Sequence, residues 1–120
     1  MKTDTKKIFI VDDETIIAFE MADTLEDLGF EVVGPSTQLS DALSRAEDEE
    51  IDVACLDVNL GNGKTSEPIA KILKDRGIPY VYITAYDANQ VSFVDETDRV
   101  LKKPISKVDL QKALLQSTKD

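Results

Sequence analysis

Three carboxylates, a hydroxyl and an ammonium stand at the ends of short apolar runs in this chain. Asp12 and Asp13, with Glu14 behind them, follow Ile8 to Val11; Asp57 follows Val53 to Leu56; Thr84 follows Tyr80 to Ile83; Lys102 and Lys103 follow Val100 and Leu101. Brought into one crevice, such carboxylates repel one another and raise each other's pKa unless a cation joins them. Mg²⁺ suits that need, because it takes few protein oxygens, keeps waters and accepts a phosphate oxygen as a further ligand. The chemistry implied is phosphoryl transfer. Asp57 is then the candidate nucleophile, receiving the phosphoryl group as an aspartyl phosphate. Asp13 is the candidate direct metal ligand, Asp12 acts through water, and the backbone carbonyl of Asn59 supplies another oxygen. Lys103 cancels charge on one phosphoryl oxygen, and the Thr84 hydroxyl donates to another. An ionised carboxylate is already the attacking species, so no separate base is required.

These residues share a site only if the elements before them converge. Ile8 to Val11, Val32 and Val33 with Phe30, Val53 to Leu56, Tyr80 to Ile83, and Val100 with Leu101 are solid apolar runs of strand length. Solid runs suit strands covered on both faces, as in a parallel sheet. Between them the apolar spacing turns helical. Ile17, Met21, Leu25 and Leu28 form one face of a first helix, opposite a stripe of Glu20, Asp23 and Asp27, and Gly29 follows as its C-cap. A second helix spans Leu39 to Glu49, with Leu39, Ala42, Leu43 and Ala46 inward. A third follows Ser66 as N-cap, has Pro68 in its first turn and stops at Gly77. Asp87 to Val94 reads as a short helix at most. A last helix starts at Ser106 with Asp109 three residues on in capping-box fashion, and turns Val108, Leu110, Ala113 and Leu114 inward.

Alternating strands and helices with right-handed crossovers give an α/β fold, a doubly wound five-stranded parallel sheet with helices on both faces in the flavodoxin-like order 2-1-3-4-5. The first and third strands are then neighbours, and ligands bind at their C-terminal ends. A lone Asp at a strand end is ordinarily a helix N-cap or a solvated loop residue. Joint placement at four strand ends is what carries weight. Asp52, Asp87, Asp95, Glu96 and Asp98 lack it and read as loop acids.

Composition narrows the chemistry. With 120 residues and 42% apolar side chains the chain is read as one domain, 1–120, with a single core. Its 24 acids and 14 bases give a net charge of −10, which repels phosphate backbones and anionic lipid, so neither nucleic acid nor a membrane surface is an expected partner. The first fifty residues carry 14 acids against 4 bases, and the remainder 10 of each. There is no histidine, hence no imidazole base, no phosphohistidine and no imidazole metal ligand. The polar start leads into only four apolar residues, too few for a signal peptide or membrane span, and a cytoplasmic location is expected. Cys55, inside an apolar run, reads as an inert core thiol. Gly63-Lys64-Thr65 imitates the tail of a phosphate-binding P-loop, but Val58 stands where that pattern needs glycine.

With Asp12-Asp13-Glu14, Cys55-Leu56-Asp57-Val58-Asn59-Leu60, Ile83-Thr84-Ala85 and Lys103-Pro104 in place, the chain resembles the receiver domains of two-component response regulators from Lys7 to about Ser117. The resemblance implies phosphorylation of Asp57 by a sensor histidine kinase, dependence on Mg²⁺, slow self-dephosphorylation by water, and a cis Lys103-Pro104 peptide. It also implies a kinase-facing surface bordered by the first helix. Most receivers carry an aromatic residue three positions before the lysine; here it is Val100. The segment Pro79 to Tyr86, with Gly34-Pro35 and Asp57 to Leu60, is similar to the atypical receivers nicknamed FAT GUY, which are associated with histidine kinases of the HWE and related families. Tyr86 is placed to shield the phosphoryl group from water. No output domain fits within the chain, so a stand-alone phosphoacceptor that works through protein contacts or as a phosphate sink is expected. The alternative is a small phosphatase with an aspartyl-phosphate intermediate, against which stand Asn59, where haloacid-dehalogenase-type phosphatases place an acid, and the lack of room for a cap.

Overall fold

A computed structural model describes residues 5–85, 92–94 and 98–118. Five parallel strands, β1 (Lys7–Val11), β2 (Glu31–Ser36), β3 (Val53–Asp57), β4 (Tyr80–Thr84) and β5 (Arg99–Lys102), form one sheet in the order β2-β1-β3-β4-β5. Four helices, α1 (Thr15–Asp27), α2 (Leu39–Asp48), α3 (Glu67–Asp75) and α4 (Lys107–Thr118), complete the described secondary structure. The expected topology is the one observed.

The solid apolar runs have a simple cause. Alternate residues of a strand face opposite sides of the sheet. Phe9, Val11, Ala54, Leu56 and Tyr82 pack towards Ala42, Ala46, Ile69 and Leu73 on α2 and α3. Ile8, Ile10, Val53, Cys55 and Ile83 pack towards Ala22, Leu25, Leu110 and Leu114 on α1 and α4. With a core on each face, no position along these strands can be polar until the strand ends. That rule is what places the functional groups at one rim.

Helix ends follow the local chemistry with two corrections. Gly29 and Gly77 leave α1 and α3 with φ of +95° and +74°, the left-handed conformation that ends a helix with least strain in glycine. The Ser106 Oγ accepts the Asp109 backbone N–H at 3.0 Å, as the capping-box reading requires. Ser66 does not cap α3 through its side chain. Its Oγ is buried without a hydrogen bond, and the Glu67 N–H instead reaches the Thr65 Oγ1 at 3.3 Å. Val108 does not turn inward either: it is 58% exposed, and Leu110, Ala113 and Leu114 make the buried face.

Asp52 is more than a solvated acid, since its Oδ2 accepts the Lys7 backbone N–H at 2.7 Å at the start of β1. Glu50 pairs with the Lys7 ammonium beside it. Of the segment 87–94 only residues 92–94 are described, and Ser92 and Phe93 form a turn. The rest of that expected helix, like Tyr86, lies outside the described residues. Among the described residues no helix is long and apolar enough to cross a membrane.

Candidate functional site

Strand register brings the acids together. Val11 of β1 pairs with Leu56 of β3, so the next residues, Asp12 and Asp57, leave the sheet side by side. On the other flank Asp57 pairs with Ile83 and Thr84 with Lys102, and the Lys103 N–H donates to the Thr84 carbonyl at 2.7 Å. Both X-proline bonds that follow a site strand or lie in β2, Lys103-Pro104 and Gly34-Pro35, are cis.

Asp12 and Asp57 are buried, 1% and 5% exposed, whereas Asp13 and Glu14 face solvent. One carboxylate oxygen from each of the four lies within 4.8 Å of the others. Asp12 Oδ1 accepts the Glu14 backbone N–H at 2.9 Å, which fixes the side chain, but its buried Oδ2 accepts no hydrogen bond. The Lys103 ammonium reaches into this group, 2.9 Å from Glu14 Oε1, 3.2 Å from Asp12 Oδ2 and 3.5 Å from Asp57 Oδ2.

Burial and the adjacent Asp12 charge push Asp57 up to about 8, against the opposing pull of Lys103. For Lys103 burial works to lower the pKa, and Glu14, Asp57 and Asp12 together outweigh it and hold the ammonium above the usual lysine range. Burial alone carries the Cys55 thiol up to about 12, consistent with its reading as an inert core residue.

This donor set fits a hard divalent cation. It is all oxygen, it carries more negative charge than one ammonium offsets, and it holds a buried carboxylate oxygen with no hydrogen bond. Asn59 sits two residues beyond Asp57 at the pocket edge. Its side-chain Oδ1 accepts the Gly61 N–H at 3.0 Å, closing a turn that starts the loop to α3. Gly61, at φ +81°, approaches Asp13 so closely that a Cβ there would stand 3.2 Å from Asp13 Oδ2. Thr84 is buried at the end of β4. All the residues singled out in the sequence therefore lie on one rim: Asp12, Asp57 and Lys103 in contact, Asp13 within the acid group, Thr84 and Asn59 flanking.

Two participants were not singled out. Glu14 is the nearest partner of Lys103, and its only sequence signal was its place as the third acid of a run. Gly61 shapes the approach to Asp13, foreshadowed by the Gly61-Asn62-Gly63 sequence, in which all three residues have positive φ. Val100, at the position aromatic in most receivers, is partly buried against the α2 and α3 side of the sheet, opposite Tyr82. Tyr82 makes an edge-on contact with the Phe93 ring at 5.7 Å between centroids. A groove of about 500 Å³ between α1 and α4 lies beside the acid group and shares Lys103 with it.

Comparison with known proteins agrees with this geometry. The chain is similar to the receiver protein of Methanospirillum hungatei JF-1, at 27% identity and TM-score 0.84 over 96% of this chain and 94% of that one. It is similar to the BeF3-activated conformation of SdrG from Pseudomonas melonis Fr1, at 37% identity and TM-score 0.81 over 98% of this chain and all of that one. It is 33% identical over 105 residues to the heme response regulator HssR of Staphylococcus saprophyticus, covering 84% of this chain and 46% of that protein. The chain spans less than half the length of the curated relatives it matches. The family profile described as response regulator receiver domain matches residues 8–115, and with that fold, that acid pocket and that match, the chain belongs to the response regulator receiver domains.

Proposed function

We propose that this receiver accepts a phosphoryl group on Asp57 from a sensor histidine kinase and passes the signal on through protein contacts, or drains phosphoryl groups as a sink. The observation that supports it best is the setting of Asp57: a buried carboxylate beside a second buried carboxylate, with the Lys103 ammonium 3.5 Å away. An Asp57 oxygen attacks the phosphorus of the donor phosphohistidine. The phosphorus–nitrogen bond breaks, its electron pair stays on the imidazole nitrogen, and Asp57 becomes an acyl phosphate. Water later attacks that phosphorus, restoring Asp57 and releasing inorganic phosphate.

Asp12, Asp13, Asp57 and the Asn59 carbonyl would hold Mg²⁺, which supplies positive charge to the phosphoryl oxygens and relieves the repulsion among the acids. Lys103 donates to one phosphoryl oxygen, and the Thr84 hydroxyl to another. The sequence from Pro79 to Tyr86, with Gly34-Pro35 and Asp57 to Leu60, supports membership of the FAT GUY subgroup, and a kinase of the HWE or a related family as donor. A panel of kinases from that group and from others, compared for phosphotransfer rate, tests the pairing; faster transfer from the others would overturn it.

Incubation with Mg²⁺ and a small phosphodonor, followed by intact-mass measurement, tests the phosphoacceptor itself. The expected result is one phosphoryl mass on the wild type, abolished by chelator and absent in Asp57→Asn. No added mass on the wild type, or equal addition to both proteins, would overturn the reading.

A further inference from the structure

Glu14 has no part in the reading above, yet it is the nearest partner of the pocket cation. It occupies the N-cap position of α1 and makes no side-chain capping bond. Its backbone N–H is bonded to Asp12 Oδ1, and its side chain crosses to Lys103, 89 residues on in sequence, at 2.9 Å. Asp57 lies further from the same ammonium, at 3.5 Å.

An ammonium has three N–H donors and no more. In this structure three carboxylates stand around them. Two of the three have other tasks: phosphorylation turns Asp57 into an acyl phosphate whose charge has moved onto the phosphoryl oxygens, and Asp12 is assigned above to the metal. Glu14, assigned neither task, keeps its charge when Asp57 is phosphorylated. A phosphoryl oxygen that needs a Lys103 donor must therefore share it with Glu14 or take it.

We propose that Glu14 is a positioning residue that holds Lys103 in its resting place and competes with the phosphoryl group on Asp57 for the ammonium. The inference rests on the phosphoacceptor reading and adds to it a residue that sets how firmly the phosphorylated state is held. Glu14 is 55% exposed, so water screens the pair and the effect is a small factor rather than an on–off switch. The rival role is direct metal ligation, since the Glu14 carboxylate lies among the other acids.

A double-mutant cycle separates the two. Binding of beryllofluoride, a phosphoryl mimic, is measured by calorimetry at saturating Mg²⁺ for wild type, Glu14→Gln, Lys103→Met and the double variant. Lys103→Gln replaces Lys103→Met if the latter fails to fold. Glu14→Gln is expected to tighten beryllofluoride binding by about two- to fivefold, the range of a half-exposed ion pair, and to change nothing once Lys103 is gone. Unchanged or weaker binding in Glu14→Gln would overturn the assignment. So would a gain that persists without Lys103, which would reduce Glu14 to general repulsion, whereas weaker binding with Lys103 present or absent would place Glu14 on the metal. If the wild type neither binds beryllofluoride nor takes up a phosphoryl group, the phosphoacceptor reading falls and this inference with it; if it does both and Glu14→Gln is silent, only the role of Glu14 falls.

Discussion

Asp57 is held in a place where its own charge is unwelcome. Buried against Asp12, its pKa is raised to about 8. A carboxylic acid that keeps its proton to higher pH in the fold than in the unfolded chain makes the native state bind more protons across that interval, so stability falls as pH rises through it. In chelator, wild-type stability should decline between about pH 4, where an unfolded aspartate titrates, and about pH 8. Asp57→Asn removes the charge and keeps the shape. It should melt about 5 °C higher than the metal-free wild type at pH 8, with the gap closing towards pH 5. Thermal melts at the two pH values check this; a constant gap would show that Asp57 ionisation is not its cause.

At the scale of elements, the C-terminal end of β2 is tied to the helix that follows it. The buried Ser36 hydroxyl donates to Asp41 Oδ2 at 2.6 Å in the first turn of α2, while the Ser36 carbonyl accepts the Asp12 N–H at 3.1 Å. The Ser36 bond holds the Asp41 carboxyl below its ordinary range, with Arg45 adding to the effect. The stability so gained is present above the unfolded aspartate pKa and lost as the solution is acidified through the folded one. Ser36→Ala should cost about 1 kcal/mol at neutral pH in urea denaturation, less in acid, because Asp41 keeps Arg45 and water as partners. Much of this level was legible in the sequence. A strand with a core on both faces must be apolar until it ends, so Asp12, Asp57 and Thr84 announced their own positions, and glycines marked where α1 and α3 stop. The misreadings concern what a side chain meets. Ser66 was read from its residue type, which put it correctly at the N-cap but could not say that its hydroxyl would be buried away from the first-turn amides, and Val108 from helical spacing, which gives a residue its angle around the helix but not what lies opposite. Glu14 was missed because its partner is far away in sequence and the contact depends on side-chain direction, which no periodicity encodes.

The whole molecule carries a charge of −10, and two groups among its acids differ in kind. Asp12, Asp13, Glu14 and Asp57 are gathered within reach of one ion; Glu20, Asp23 and Asp27 stand exposed along α1. Monovalent salt screens both groups, whereas a divalent ion bound at one site stabilises in proportion to its occupancy. Mg²⁺ at a hundred times its Kd should add about 2.7 kcal/mol, beyond what NaCl of equal ionic strength provides, and Asp13→Asn should lose most of that increment. Equal shifts with the two salts would mean general screening only. The sheet order has a further consequence. Among the described residues Lys103 follows β5, which pairs only with β4 at the border of the sheet, whereas the acids stand at the ends of β1 and β3 in its interior. Fraying of that border would withdraw the cation while leaving the anions in register, so loss of the β4–β5 pairing would disarm the pocket without dispersing its acids.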